Sequence, residues 1–280
     1  MSATLTGFQQ RLVQAQKTNN SLLCVGLDPD YSRFPGVFSS TPEATRLIDF
    51  NRAIIEAPSD LACGYNPNLG VYLPLGQAGI DALIDLRKAV PAHIPVMLDA
   101  KVGDIDTTTA AYARAYFDEW GFDAVTANPF MGHDSIAPLL AYADRGVFLL
   151  AKTSNPGSGF LQDRETGIDG ERISHVVARS ALEWNQHGNV GLVVGATYPQ
   201  ELRSIRSQAA DLPILVPGVG AQAGELEASV VAGLDSHNAG LLINASRAIS
   251  YASAGSDFQE AARSAANSLR ERINAARKPS

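Results

Sequence analysis

Cysteine is scarce in this chain: Cys24 and Cys63 are the only two in 280 residues. Both lie inside apolar, strand-like runs. Disulfide scaffolds are cysteine-dense and secreted, so two buried thiols point to a reducing, cytoplasmic setting. Long hydrophobic runs are missing as well; no stretch approaches the ~18 apolar residues of a membrane span. The opening "MSATLTGFQQRLVQAQ" is amphipathic and lacks the apolar centre of a signal peptide. Basic blocks are also absent, and 22 Lys and Arg against 29 Asp and Glu leave a net charge of −7. An extended nucleic-acid partner would need clustered cations, so that class is excluded. A single phosphate on a small ligand needs only one or two cations and some backbone amides, and stays open. The five histidines form no H-x-x-x-H pair, and the cysteines have no metal-ligand spacing. His133 and His175 read as surface or helix residues.

What is present is a regular alternation. Hydrophobic residues make up 45% and charged residues 18%, with no long polar tract, which suits a large packed core. Short apolar runs fall at 21–27, 61–66, 94–100, 123–128, 146–152, 190–196, 213–218 and 240–245. Helical patterns lie between them: "PEATRLIDFNRAIIEA", "QAGIDALIDLRKAV", "TTAAYARAYFDEW", "GERISHVVARSALEW", "PQELRSIRSQAA", "AGELEASVVAG" and "DFQEAARSAANSLRERINAARK". Eight βα repeats predict an α/β fold of the (β/α)₈ TIM-barrel kind rather than an open doubly wound sheet. The first turn, "GLDPD", carries no G-x-G-x-x-G fingerprint. No linker cuts the chain, so residues 1–280 are expected to form one domain with its core at 7–275.

Active sites of such barrels lie at the C-terminal ends of the strands. Those ends carry Asp28, Asn66, Asp99 with Lys101, Asn128, Thr153-Ser154-Asn155, Thr197, Gly218-Gly220-Gln222 and Asn244-Ser246-Arg247. In "LDAKVGDIDTT" two acids and a lysine fall within six residues. Strand alternation puts Asp99 and Lys101 on one side, facing the barrel mouth, with Asp104 at the start of the loop. A loop salt bridge is the plain alternative, although surface pairs contribute little stability. In a desolvated mouth, two fixed carboxylates keep the lysine protonated and repel a substrate carboxylate. A reaction that removes that carboxylate and protonates the carbon left behind gains from both effects, and that reaction is decarboxylation.

After the seventh and eighth strands come "VPGVGAQAGELE" and "INASRAI". Phosphate sites recur there in this fold. Glycines 218, 220 and 224 beside Pro217 let the backbone approach an anion, Gln222 can donate through its amide, and Arg247 offers a bidentate fork. In "AKTSNPGSGF", Ser154 and Asn155 can pair with a planar amide or imide, and the glycines suit a mobile loop.

Taken together, "LDAKVGDIDTT", "TSNPG", "VVGATYPQEL", "PGVGAQAG" and "INASRAI", in this order, resemble the orotidine 5′-phosphate decarboxylase family, most closely its longer bacterial type (type 2). The likeness runs from about residue 7 to 275. It implies decarboxylation of orotidine 5′-monophosphate to uridine 5′-monophosphate in pyrimidine biosynthesis, by a homodimer that uses no cofactor and no metal. By the same resemblance, Lys101 protonates C6 of the pyrimidine, Asp99 stands against the substrate carboxylate, and Asp104 completes the charged array. Asp104 and Thr108 would reach the neighbouring subunit's site. Asp28 would hold a ribose hydroxyl, Ser154 the pyrimidine edge, and Gln222 and Arg247 the phosphate. Two positions depart from the family pattern: Asn66 in "GYNPNLG" stands where the family has a lysine of that array, and Val102 where an arginine is common. Asn66 can still hydrogen-bond but carries no charge. Two alternatives to an active decarboxylase remain at this point: a uridylate-binding homologue without catalysis, and a metal-dependent lyase acting on another sugar phosphate.

Overall fold

Parallel strands covered on both faces should read as short, continuous apolar runs, and all eight such runs form strands. The computed structural model describes residues 7–167, 170–196, 199–218 and 225–277. Its strands are β1 (Leu23–Gly26), β2 (Gly64–Asn66), β3 (Met97–Val102), β4 (Ala124–Ala127), β5 (Gly146–Lys152), β6 (Val190–Val194), β7 (Ile214–Val216) and β8 (Leu241–Ala245). They pair in parallel in the order β2-β1-β8-β7-β6-β5-β4-β3. The remaining seam, between β2 and β3, is closed by bridges at Tyr65–Val96 and Asn68–Asp99. The result is a nearly closed (β/α)₈ barrel.

The helices are α1 (Gly7–Thr18), α2 (Glu43–Glu56), α3 (Leu69–Tyr72), α4 (Gln77–Ala89), α5 (Asp106–Ala113) and α6 (His133–Leu140). After them come α7 (Ile173–Trp184), α8 (Pro199–Ala209), α9 (Glu225–Gly233), α10 (Arg247–Ser250) and α11 (Phe258–Ala276). Helix α6 is absent from the sequence-based reading: it is short, and Pro138 lies inside it. The expected helix over 108–120 begins two residues earlier and passes into a π-helical turn at Arg114–Glu119.

Strand alternation sorts the core into two layers. Cys24, Cys63, Met97, Ala124, Phe148, Val193, Leu215 and Leu242, one from each strand or its threshold, fill the barrel interior together with Phe8 and Leu12 of α1. The intervening residues, such as Leu23, Val25, Leu98 and Val125, pack outward against the helices. Helix α1 therefore seals the N-terminal end of the barrel. Phe8 meets Phe148 edge-to-face at 5.7 Å. Gly146 makes this seat possible, because a Cβ there would come within 2.7 Å of the Phe8 ring. With that end plugged, ligands have only the C-terminal mouth. Both cysteines are free and buried, and burial pushes the Cys63 thiol up to about 12, so neither is a ready nucleophile.

Candidate functional site

The pairing of β3 with β4 loses its regular register between Leu98 and Val102. Leu98 lies opposite Val125 and Val102 opposite Ala127, so Asp99, Ala100 and Lys101 share the single residue Thr126. Such a bulge re-aims side chains. Here it requires a left-handed backbone at Lys101, with φ 48°, a conformation that costs a non-glycine residue energy and gathers at functional sites. Asp99 and Lys101 do meet, but through this bulge rather than through the plain alternation expected of a flat strand. The Lys101 ammonium stands 2.5 Å from Asp99 Oδ2.

Two residues that sequence reasoning left out complete the arrangement. The Thr126 hydroxyl accepts the Lys101 backbone N–H at 2.9 Å and donates to Asp99 Oδ1 at 2.7 Å. Asn68, carried to β3 by the bridge that closes the barrel, donates its amide to Asp99 Oδ2 at 2.8 Å. Three donors thus fix the Asp99 carboxylate, whose side chain is 16% exposed, while Lys101 stays 46% exposed. The signals for both were faint: Thr126 shares inward parity with Ala124, and Asn68 lies two residues beyond Asn66.

Asn66 itself turns elsewhere. It is buried and donates to the Met97 carbonyl at 2.8 Å, securing the β2–β3 seam, and it does not reach Asp99. Asp28, after β1, accepts the Asn68 backbone N–H at 3.1 Å, so it sits beside the Asp99 group. Burial pushes the Asp28 carboxyl up, with the Ser246 hydroxyl and the Asn68 N–H opposing.

Asp104 does not join them within this chain. Its carboxylate accepts the next backbone N–H, that of Ile105, at 2.8 Å, and it enters no ion pair among the described residues. Thr108 is exposed on α5, one turn from Ile105, which is itself 59% exposed. The neighbouring turn after β4 adds Phe130 and Met131, also exposed. Asn128 spends its side chain on that turn, accepting the Phe130 N–H.

On the far side of the mouth, Ser154 is exposed and rests against Gly195 and Gly218. A Cβ at Gly195 would lie 2.9 Å from the Ser154 backbone, so glycine lets the β5 and β6 loops close up. Pro217 accepts the Ala196 N–H at 3.0 Å, and Gly218 follows with φ 88°. Arg247 is exposed at the head of α10, two residues past the end of β8, the strand next to β7. Gln222, Thr197, Gly220 and Gly224 lie outside the described residues. His133 packs against Trp184 and His175 bonds Ser204, both on the helical layer.

A pair held in this way at a barrel mouth can orient a protonated amine beside a bound acid. Comparison with known proteins agrees with that chemistry. Residues 21–265 match the profile of the "Orotidine 5′-phosphate decarboxylase / HUMPS family". Among similar sequences, the orotidine 5′-phosphate decarboxylase of Thermomicrobium roseum is 53% identical over 272 residues, covering 97% of this chain and 96% of that protein. That of Cellvibrio japonicus is 46% identical, covering 96% and 99%. Among solved structures, Leishmania donovani OMP decarboxylase superposes with a TM-score of 0.85 at 40% identity, covering 98% of this chain and all of that one. On the profile match and these near full-length relatives, the chain belongs to the orotidine 5′-phosphate decarboxylase / HUMPS family.

Proposed function

We propose that this protein is an orotidine 5′-phosphate decarboxylase that converts orotidine 5′-monophosphate to uridine 5′-monophosphate and carbon dioxide, as part of pyrimidine biosynthesis. The observation that carries the proposal is the Asp99–Lys101 pair, 2.5 Å apart and braced by Thr126 and Asn68 at the open end of the barrel. In the reaction, Asp99 lies against the substrate carboxylate and raises its free energy relative to a transition state in which that charge is leaving. The electron pair of the breaking C6–carboxyl bond remains on C6, and the Lys101 ammonium supplies the proton that captures it. The fixed ammonium also stabilises the developing negative charge before transfer is complete. No electron acceptor is called for, because the base keeps the pair and the lysine gives the proton.

The remaining roles belong to the same proposal. Asp28 receives a ribose hydroxyl, Ser154 meets the pyrimidine edge, and Pro217, Gln222 and Arg247 receive the phosphate. Asn66 keeps its hydrogen bond but not the charge of the lysine found there in the family pattern. That lowers activity without removing it, because Lys101 is present. A pure uridylate binder would have no use for a proton donor at C6.

We further assign the chain to the longer bacterial type, working as one domain and as a cytoplasmic homodimer. The bacterial relatives of matching length support the type. Exposed Ile105, next to Asp104 and one turn from Thr108, and exposed Phe130 and Met131 on the turn after the adjacent strand support pairing of two copies there. Mixing the protein with orotidine 5′-monophosphate and following the ultraviolet change on loss of the carboxylate tests the activity. Turnover is expected. Uridine 5′-monophosphate binding without turnover would overturn it in favour of the non-catalytic homologue.

A further inference from the structure

Lys152 has no part in the chemistry above, yet it is a lysine whose side chain is only 3% exposed. It is the last residue of β5, and the β5–β6 register shifts between Leu150 and Lys152. After the shift Lys152 lies opposite Val194, a residue of the outer layer. Its ammonium meets Asp163 Oδ1 at 2.5 Å and lies 3.8 Å from Glu201 of α8. Arg172 approaches the other oxygen of Glu201 at 4.0 Å.

One residue further on, a second tie crosses the same loop. The Thr153 N–H donates to Gln162 Oε1 at 2.9 Å, and Gln162 Nε2 donates to the Thr153 hydroxyl at 3.0 Å. The 152–163 and 153–162 contacts are therefore consecutive rungs that close the loop running from Ser154 to Leu161. Ser154 is the first residue past the upper rung, and the Lys152 carbonyl accepts the Gly195 N–H at 2.9 Å, joining the lower rung to β6.

Stability alone gives little reason for an ammonium in this position. Desolvating it is costly, and a well-packed apolar residue often does as well or better. What the ion pair adds is direction, since it accepts one loop geometry and rejects others. We propose that Lys152 is a positioning residue: by latching Asp163, it closes the 153–163 loop in the one geometry that presents Ser154 to the ligand. The proposal rests on the reading of Ser154 as the pyrimidine contact.

The test is Lys152→Met, which keeps the length and apolar stem of the side chain. KM for orotidine 5′-monophosphate is expected to rise about tenfold with a smaller change in kcat, and Lys152→Arg should recover most of the loss. Hydrogen–deuterium exchange of the peptide covering 153–163 should quicken while the barrel strands keep their protection. In a Ser154→Ala background, Lys152→Met should cost almost nothing more, because the residue it positions is gone. Should Lys152→Met fail to fold, Asp163→Asn breaks the same contact from its more exposed partner and carries the same expectations. The proposal is overturned if KM is unchanged, if loop exchange is unchanged, or if the penalty adds in full on top of Ser154→Ala. Absence of turnover in the unmodified chain would instead count against the substrate assignment. Loop exchange then decides alone, and unchanged exchange overturns the latch.

Discussion

At the N-terminal end of the barrel, Asp123 is fully buried and three arginines converge on it: Arg11 at 2.8 Å, Arg87 at 3.1 Å and Arg145 at 3.6 Å. Its second oxygen also accepts the Val96 N–H at 2.8 Å. Elsewhere on the helical layer, buried Arg206 has carbonyls instead of a carboxylate, those of Gly233, Ala210, Leu212 and Gly240, all within 2.9 Å. Burial pulls this guanidinium down to about 10, which still leaves it charged at neutral pH. At the C-terminal end the balance is reversed. Asp28 and Asp99 share the neighbourhood of one cation, Lys101, which is half in solvent and sits on a left-handed backbone.

The same residue types therefore serve two purposes. Around Asp123 the compensation exceeds the need, and every contact ties an element to its neighbour: α1, the end of α4 and the start of β5 all hang on one carboxylate. Around Asp99 the acids are crowded, the backbone is bent and the cation is left reachable. A chain selected for stability alone would not keep that second arrangement, whereas binding and turning over a charged ligand requires it.

The sharpest way to break the comparison is Lys101→Ala. Removing the proposed proton donor should lower turnover by at least about a thousandfold, within the range of general-acid contributions. Uridine 5′-monophosphate affinity should stay within about tenfold, because the proposed phosphate and ribose contacts lie elsewhere. The melting temperature should hardly move, since the Lys101 ion pair is half-exposed. Turnover close to normal would remove Lys101 from the chemistry.

Asp123→Asn is the mirror experiment. The shape is kept and the charge is lost, leaving three arginines without their partner. Breaking a buried pair on one side costs about 3–5 kcal/mol, so the melting temperature should fall by around 10 °C. The kcat of the folded fraction should be unchanged. If both variants lowered activity and stability together, the division of labour between the two ends would be wrong.

How far the sequence disclosed this division depends on the scale. The strands were legible because two-sided burial leaves an apolar run wherever a strand stands, as in "GVFLLAK", which became β5 residue for residue. Asp99 and Lys101 were legible because polar residues at the end of such a run need a reason. The bulge was not, because register is decided by what lies opposite: Asp99–Lys101 stretch along Thr126, which is distant in sequence. For the same cause Thr126 and Asn68 passed as ordinary polar residues, and the expectation that Asp104 stands beside Lys101 has no counterpart within one chain. The arginines around Asp123 come from three separate elements, and no local pattern announces them.

Arg247→Ala carries the next effect in size. Loss of one charge-assisted hydrogen bond is worth about 1.5–3 kcal/mol, so uridine 5′-monophosphate affinity should weaken between about tenfold and a hundredfold. Inorganic phosphate should compete less well by a similar factor. Because Arg247 is exposed and forms no ion pair among the described residues, stability should be unaffected. Unchanged affinity would move the phosphate away from the loops after β7 and β8.

The smallest expected effect is also the one that sharpens the comparison most, because it adds a charge to the active end. Asn66→Lys would introduce the second cation that the sequence resemblance leads us to expect near Asp99 and Asp28. If the array gains from it, turnover should rise about tenfold, the worth of roughly 1.4 kcal/mol in the barrier. Two features of this chain work against a larger gain. The Asn66 amide now holds the Met97 carbonyl across the β2–β3 seam, and a longer side chain must give up that contact. Asp99 also already has three donors, Lys101, Asn68 and Thr126, so a new ammonium must displace Asn68 or share its oxygen. A buried ammonium is costly until its partners compensate it, so the melting temperature should fall slightly while turnover rises. Measuring both under saturating substrate separates the outcomes. Turnover that is unchanged or lower would mean that Asn68 has taken over the bracing of Asp99 and that the site works with a single cation.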